Sequence, residues 1–187
     1  YFPLDEVHIS NAEIVQILAG IESYFHGRSS GLDPFVSLKN RPVLQGKNNE
    51  ISLLEDGAIT FDFPKTQTFL INSLKTRKTA SLVQIFKKNI LNQKFASKIN
   101  SQLIPHVATA IEALISHDEE VYFNSFLSIS SFQLDFFRSM IPDNFTALWK
   151  RGLESGDFAY KLCGAGGGGF FLGIARVGSE SKAVIKD

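Results

Sequence analysis

Residues 161–172 read Lys-Leu-Cys-Gly-Ala-Gly-Gly-Gly-Gly-Phe-Phe-Leu, a glycine run between two apolar stretches. Five of the fourteen glycines of the chain fall in this run, Gly164-Ala165-Gly166-Gly167-Gly168-Gly169. Glycine loses more conformational freedom on folding than any other residue, so such a cluster indicates that these positions require a residue without a side chain. Two needs fit the pattern: backbone N–H groups that approach an anion, or a tight crossing between two strands.

The residues that follow the run exclude two common phosphate-binding loops. The run formally matches G-x-G-x-x-G, but the dinucleotide-binding motif continues into a helix, whereas Phe170-Phe171-Leu172 is typical of a strand. A P-loop is excluded as well, because Phe170 and Phe171 stand where that motif has Lys and Ser or Thr. The glycine run is therefore predicted to join two strands.

The order of the predicted elements indicates an α+β fold. A capping box at residues 10–13 and apolar residues at helical spacing predict a helix over residues 10–25. A polar loop is predicted for residues 28–33, because Pro34 discourages a helical conformation at Asp33. Strands followed by helices and again by strands are typical of α+β domains. The other predicted elements are strands at 51–54 and 58–63 joined by a turn at 55–57, a strand at 68–73, helices at 79–99, 103–115, 119–140 and 144–153, and strands at 157–163, 170–177 and 182–186.

Glu22, His26 and Asp33 form a second candidate site. Glu22 and His26 lie four residues apart on the predicted helix and so share a face, and Asp33 follows in a Ser- and Gly-rich loop. Such carboxylates can divide two tasks, with one binding a divalent metal and the other taking a proton. From the pattern alone, a solvated Glu22, a helix-capping His26 and an Asp33 in a turn are the simpler interpretation.

Three segments of the chain resemble the mevalonate kinases. His26-Gly27-Arg28-Ser29-Ser30-Gly31-Leu32-Asp33 resembles their H-G-x-x-S-G-x-D segment, and residues 161–169 resemble their K-L-T-G-A-G-G-G-G segment. Residues 72–79, which read Asn-Ser-Leu-Lys-Thr-Arg-Lys-Thr, resemble their strand-to-helix joint N-T-x-x-x-R-x-T. The three segments occur in the family order. The glycine segment is also the third motif of the wider superfamily of galacto-, homoserine, mevalonate and phosphomevalonate kinases.

The resemblance implies an ATP-dependent kinase that phosphorylates the hydroxyl of mevalonate, a small-molecule substrate, with Mg²⁺ as its metal ion. It assigns Asp33 as the catalytic residue, Glu22 as the magnesium ligand, and the glycine run as the loop beside the nucleotide phosphates. It also implies that residues 1–66 complete the N-terminal kinase domain, and that residues 67–187 form a C-terminal domain with a ferredoxin-like sheet and added helices. The residues that it assigns to substrate binding are His26, Gly27, Ser30 and Gly31.

The sequence departs from the family pattern at single residues and in one region. Ser29 stands where the family usually has proline, Cys163 where threonine is common, and Phe170 where a small residue or cysteine is usual. The nucleotide motif P-x-x-x-G-L-x-S-S does not occur, so the chain resembles the C-terminal two-thirds of such an enzyme. The alternatives are another sugar or alcohol kinase of the superfamily, such as galactokinase or phosphomevalonate kinase, or a non-catalytic ligand-binding domain of this fold.

Composition narrows the class of partner. The 187 residues carry 19 basic and 19 acidic side chains, and a formal net charge of zero argues against a nucleic acid or an anionic membrane as partner. One cysteine cannot form an internal disulfide, and no basic-then-apolar leader opens the chain, so we expect a cytoplasmic protein. Phe132, Phe136 and Phe137 predict a helix that is buried on more than one face, and a homodimer interface is one explanation.

Overall fold

The computed structural model describes residues 9–27, 29–46, 50–76 and 79–178. Within these ranges the side chains of His26, Thr79 and Ala80 are not described. The described residues divide into two compact units, of which the first ends at Ile59 and the second begins at Thr60. This division lies before the domain boundary that the sequence predicts between residues 66 and 67.

The first unit combines two helices with a short hairpin. Helix α1 (Asn11–His26) begins where the sequence predicts, because Ser10 and Glu13 form a complete capping box. The Glu13 N–H donates to the Ser10 hydroxyl, and the Glu13 carboxylate accepts from the Ser10 N–H at 2.8 Å. The remaining elements are helix α2 (Leu32–Lys39) and the antiparallel strands β1 (Val43–Gln45) and β2 (Ile51–Leu53).

Helix α2 begins in a segment for which the sequence predicts a loop. The prediction that Pro34 keeps Asp33 out of a helix is wrong. Gly31 precedes the helix in the left-handed region, with a φ of 73°, so Pro34 falls within the first helical turn. The N–H groups of a first turn have no intrahelical acceptor, and proline is therefore tolerated there. Phe35, which is completely buried, anchors the new helix.

The hairpin of the first unit uses different strands from those predicted. Strand β2 pairs with β1, and Val43 lies opposite Leu53. Residues 58–63, predicted as the partner of β2, form no strand in the described chain, and Asp62 makes one isolated bridge, to Gln67. The predicted turn before this segment therefore closes no hairpin.

The helices of the second unit follow the predicted order with different limits. The single helix predicted for residues 79–99 is broken at Asn92, whose side chain accepts hydrogen bonds from the N–H groups of Lys94 and Phe95. A π-helical turn at Ile99–Leu103 precedes α5, and a 3₁₀ turn at Arg138–Met140 follows α6. None of the described helices is long and apolar enough to span a membrane. The described helices are α3 (Thr79–Ile90), α4 (Gln93–Lys98), α5 (Ile104–Ser116), α6 (Glu119–Phe136) and α7 (Asp143–Ser155).

The sheet of the second unit places the glycine run between adjacent strands. Asn72 lies opposite Phe170, and Leu162 lies opposite Phe171. The prediction that the run joins two strands is confirmed, as is a mixed helix-and-sheet architecture with antiparallel strands. The last predicted strand, residues 182–186, lies outside the described residues. Within those residues the sheet consists of β3 (Thr66–Asn72), β4 (Phe158–Leu162) and β5 (Phe170–Arg176), in the order β3-β5-β4.

Helix α6 is buried from several sides. Phe132 belongs to a core cluster around Trp149, and Phe123 belongs to a second cluster around Ile174. Trp149 is fully buried, and its indole N–H donates to the backbone oxygen of Ser130 on α6. Each large apolar side chain buried in this way contributes about 1.5–3 kcal/mol. The predicted burial of this helix on more than one face is confirmed.

The junction between α7 and β4 leaves no room for a side chain at Gly152. A Cβ there would lie 2.5 Å from the Phe158 carbonyl oxygen and 2.6 Å from two carbons of its ring. Alanine favours a helix over glycine by about 1 kcal/mol, but overpacking of a buried site costs about 1–3 kcal/mol. We therefore expect Gly152→Ala to lower the free energy of unfolding by up to about 2 kcal/mol in urea denaturation.

The matched control lies in the same helix. Ala147 is exposed on α7, so Ala147→Gly changes helix propensity alone and is expected to cost about 1 kcal/mol. A Gly152→Ala protein that is as stable as the wild type would contradict the close packing of α7 on β4.

An exposed ion pair joins α6 to the end of β5. The Nη1 and Nη2 groups of Arg176 each donate a hydrogen bond to the Glu120 carboxylate, at 2.7 and 2.6 Å, and the guanidinium lies 3.9 Å from the centroid of the Phe123 ring. The hydrogen bonds from Arg176 hold the pKa of Glu120 below its ordinary value. A carboxyl whose pKa is lowered on folding stabilises the fold above its ordinary pKa and loses that effect as the pH falls.

We expect Glu120→Gln to lower the urea midpoint modestly near neutral pH and to have a smaller effect in acid. The difference shrinks because the stabilisation by the carboxylate begins to be lost below the ordinary pKa of 4.5 and is gone once the pH falls through the lower pKa of the folded protein. Glu112→Gln, at an exposed position on α5, is the control and should show no such trend. A stability difference that is the same at every pH would refute the role of the Glu120 charge.

Candidate functional site

The segment that resembles H-G-x-x-S-G-x-D runs from the end of α1 into the first turn of α2. His26 is the last residue of α1, and the N–H of Gly27 closes the helix by donating to the Ser23 carbonyl. Asp33 is exposed in the first turn of α2, where the helix dipole favours a carboxylate. Ser30 is exposed as well, and its hydroxyl accepts a hydrogen bond of 3.4 Å from the backbone two residues on.

Gly31 brings this segment into direct contact with α1. A Cβ at Gly31 would lie 2.2 Å from the Val15 carbonyl oxygen and 2.8 Å from the backbone nitrogen of Ala19. Its φ of 73° is also one that side-chain-bearing residues rarely adopt. The glycine of the motif is therefore required by packing against α1. Because Gly31 directly precedes α2, this contact also fixes where α2 begins and so where Asp33 lies in its first turn.

Ser29 links Glu22 to the rest of the segment. Its hydroxyl donates to Glu22 Oε2 and accepts from the Gly31 N–H at 3.0 Å. Its own N–H donates to the Ser23 hydroxyl at 3.0 Å. The structure thus brings Glu22 together with Gly31, two residues before Asp33. Sequence reasoning missed the role of Ser29 and identified it only as the loss of a proline, because its hydrogen bonds depend on how the chain turns after α1.

Glu22 suits a magnesium ion as a single carboxylate ligand. Proteins commonly hold Mg²⁺ through one or two carboxylates together with substrate phosphates. Ser29 engages one carboxylate oxygen of Glu22, and a hydrogen bond of this kind orients a metal ligand. Among the described residues, no group of three or more His, Cys, Asp and Glu side chains is placed to hold a metal ion. Glu22 therefore fits Mg²⁺ only if further oxygen ligands come from elsewhere, such as phosphate groups.

The glycine loop, residues 163–169, has a backbone that only glycine adopts easily. All five of its glycines have positive φ, between 67° and 151°. The Gly167 N–H donates to the Met140 carbonyl at 2.6 Å, and the Gly169 N–H donates to the Lys75 carbonyl at 3.0 Å. Because these two N–H groups already have acceptors in the protein, an anion at the loop would be met by other backbone groups.

Three glycines of the loop also lie close to neighbouring segments, and at Gly166 and Gly168 the neighbour is backbone that leaves no room for a side chain. This contact supports the tight crossing between strands, which is one of the two needs that the sequence left open. It explains the glycines at these positions without any ligand. An added Cβ would lie 2.6 Å from the Met140 carbonyl oxygen at Gly166, 2.2 Å from Leu82 Cδ1 at Gly167, and 2.5 Å from the Lys75 carbonyl oxygen at Gly168.

An open cleft of about 860 Å³ lies beside the loop, and Gly167 is part of its wall. Lys75 and Arg138 bring positive charge to it, and Asp143 brings negative charge. Arg138 is held by hydrogen bonds to the Asp143 carboxylate at 2.7 Å and to a backbone carbonyl at 2.9 Å. Asn144 lines the cleft at the start of α7. Arg138 and Asn144 belong to none of the three kinase-like segments, so only the fold brings them to the glycine loop.

Gln133 on α6 fixes the end of β4. Its buried side-chain oxygen accepts from the Leu162 N–H at 2.8 Å, and Leu162 is the last residue of the strand. The bond therefore determines where the glycine loop begins. Burial lowers the pKa of the neighbouring Lys161, whose ammonium donates to the Leu162 carbonyl at 3.1 Å. The contact of Gln133 with Leu162 is tertiary, because the two residues lie 29 positions apart, and sequence spacing gives no sign of it.

No family model and no curated protein matches the sequence. Solved structures do match the fold. The mevalonate kinase of L. major in complex with R-mevalonate matches with a TM-score of 0.66 at 18% identity, covering 96% of this chain and 54% of that chain. The phosphomevalonate kinase of Streptococcus pneumoniae in complex with phosphomevalonate and AMPPNP matches with a TM-score of 0.54 at 18% identity, covering 73% of this chain and 38% of that chain.

These coverages limit what the likeness describes. The chain spans 54% of the length of the mevalonate kinase and 38% of that of the phosphomevalonate kinase. At this level of identity the likeness is one of fold. The chain has the fold of the mevalonate and phosphomevalonate kinases, as its three sequence segments predict.

Proposed function

We propose that this protein is an ATP-dependent kinase that phosphorylates the hydroxyl of mevalonate. The observation that carries the proposal is the likeness to mevalonate kinase over 96% of the chain. The three kinase-like sequence segments support it independently of the fold. That neighbour is solved with R-mevalonate, and the phosphomevalonate kinase with AMPPNP, an ATP analogue.

Asp33 is the residue that acts on the acceptor hydroxyl in this proposal. Its carboxylate is exposed in the first turn of α2, on a backbone that Gly31 holds against α1. Carboxylates are weak bases near neutral pH, so orienting the hydroxyl is a larger part of this role than complete proton abstraction. Phosphoryl transfer depends mainly on positioning and charge neutralisation, which a fixed carboxylate of this kind supplies.

Glu22 is the proposed ligand for Mg²⁺, and Ser29 orients its carboxylate. A bound Mg²⁺ neutralises charge on the phosphate groups during transfer. The glycine loop, together with Lys75 and Arg138 in the adjoining cleft, offers backbone dipoles and positive charge to a phosphate. The residues proposed to bind the acceptor are His26, Gly27, Ser30 and Gly31.

The domain organisation follows the same proposal. Residues 1–66 complete the N-terminal domain of the kinase, and residues 67–187 form its C-terminal domain. The antiparallel order β3-β5-β4 supports a ferredoxin-like sheet in the latter.

Phosphomevalonate kinase is the second candidate, because the Streptococcus pneumoniae enzyme shares the fold over 73% of this chain. The deciding experiment measures ADP formation by the full-length protein with mevalonate, phosphomevalonate, galactose and homoserine. We expect the highest kcat/KM with mevalonate. A preference for phosphomevalonate would select the second candidate, and binding without turnover of any of these acceptors would indicate a non-catalytic domain.

Asp33→Asn tests the proposed catalytic residue. The substitution keeps the shape of the side chain and removes its charge, so we expect kcat to fall by about 10²–10⁴-fold. The KM for the acceptor should stay within about threefold, because the lost interaction strengthens toward the transition state. Asp62→Asn, at an exposed position outside both candidate segments, is the control and should keep wild-type kcat. Wild-type turnover by Asp33→Asn would remove Asp33 from the mechanism.

A further inference from the structure

We propose that Ser29 is a positioning residue that holds the Glu22 carboxylate relative to the start of α2. The inference rests on the proposed function, because Glu22 is assigned there as the magnesium ligand. The mevalonate kinases usually have proline at this position, so their sequence pattern assigns no role to a hydroxyl here. The structure assigns that role through the hydrogen bonds of Ser29.

The Ser29 side chain is engaged on both of its sides. Its hydroxyl donates to Glu22 Oε2 and accepts from the Gly31 N–H at 3.0 Å. A hydroxyl has one donor and two acceptor sites, so both bonds form at the same time. The Ser29 N–H donates to the Ser23 hydroxyl at 3.0 Å, which ties the backbone of Ser29 to α1 as well. Three hydrogen bonds therefore hold this one residue between α1 and α2.

The Gly31 end of this bridge is fixed by packing. Gly31 is buried against α1, so closely that a Cβ would lie 2.2 Å from the Val15 carbonyl oxygen. Its N–H is thus a donor at a defined place, and it directs the Ser29 hydroxyl hydrogen toward Glu22. Glu22, by contrast, has several side-chain torsions and is only half-buried. Ser29 therefore links the fixed N–H of Gly31 to the flexible Glu22 carboxylate and restricts its orientation.

A proline at this position would hold the loop by different means. Its ring fixes the backbone φ, but it has neither the hydroxyl that reaches Glu22 nor the N–H that reaches Ser23. In this chain the orientation of Glu22 therefore depends on a hydrogen bond rather than on backbone rigidity. Partners that orient a metal ligand affect metal affinity by about 10–100-fold when they are removed.

The test measures Mn²⁺, an oxygen-binding substitute for Mg²⁺, by electron paramagnetic resonance in the complex of the full-length protein with ATP. We expect Ser29→Ala to weaken Mn²⁺ binding by about tenfold, and Glu22→Gln to weaken it at least as much. Ser29→Thr keeps the hydroxyl and should restore affinity to within about threefold of the wild type. Ser52→Ala, at an exposed position on β2, is the matched control and should bind Mn²⁺ as the wild type does.

A second readout reports on the bridge without any metal. Hydrogen exchange at the Gly31 amide should be faster in Ser29→Ala, because that N–H loses its acceptor. Unchanged Mn²⁺ affinity in Ser29→Ala, with weaker binding in Glu22→Gln, would overturn the positioning role and leave the proposed function standing. Unchanged Mn²⁺ affinity in both variants would remove Glu22 as the metal ligand, so the proposed metal site and this inference would both fail.

Discussion

The backbone of the glycine loop passes so close to the backbone of Met140 and Lys75 that no side chain fits at Gly166 or Gly168, and between them Gly167 lies against the Leu82 side chain. These neighbours belong to the turn after α6, to α3 and to the connection after β3, so three parts of the second unit meet at the loop. Backbone hydrogen bonds reinforce the contact, since Gly169 donates to Lys75 and accepts from Ser73 at 2.8 Å. The end of the sheet and the wall of the adjoining cleft depend on this close approach. A side chain at Gly166 or Gly168 would push the loop away from Met140 or Lys75.

The same constraint operates in the first unit. Gly31 lies against Val15 and Ala19 as closely as the loop glycines lie against their neighbours, and it too has a positive φ. Gly31, Gly166 and Gly168 therefore mark places where one backbone segment touches another, and packing alone explains these three glycines. Chemistry must then come from the groups that this packing positions. Asp33 and Glu22 supply the charge in the first unit, and the position of each depends on Gly31. Asp33 follows Gly31 by two residues, and Glu22 is linked to the Gly31 N–H through the Ser29 hydroxyl.

Periodicity and capping correctly predicted the elements that are determined by neighbouring residues in the sequence. Helix α1 begins at its capping box, and strands β4 and β5 flank the glycine run as their apolar residues predict. The errors in predicting helices and strands arose where tertiary pairing or an unusual backbone conformation overrode a local sequence rule. Pro34 suits a first helical turn once Gly31 adopts a left-handed conformation, and strand β1 becomes a strand only by pairing with β2. In the candidate site, motif matching found Glu22 and Asp33 but not Ser29 or Arg138, because the roles of these two depend on hydrogen bonds that only the folded chain forms.

Proteins that share a fold at 18% identity can differ in the residues and contacts of their sites. The role of each site residue in this chain must therefore be argued from its own contacts. Ser29, which stands where the mevalonate kinases usually have proline, illustrates this. From the sequence it is a loss of rigidity, since serine does not fix φ. In the structure the same residue makes three hydrogen bonds, one of them to a charged carboxylate, and bonds of that kind are stronger than those between neutral groups. At this position the loop is held by hydrogen bonds instead of by a fixed φ, and one of these bonds reaches Glu22, which a proline could not. A residue that departs from a family's usual sequence can therefore make a contact that the usual residue could not.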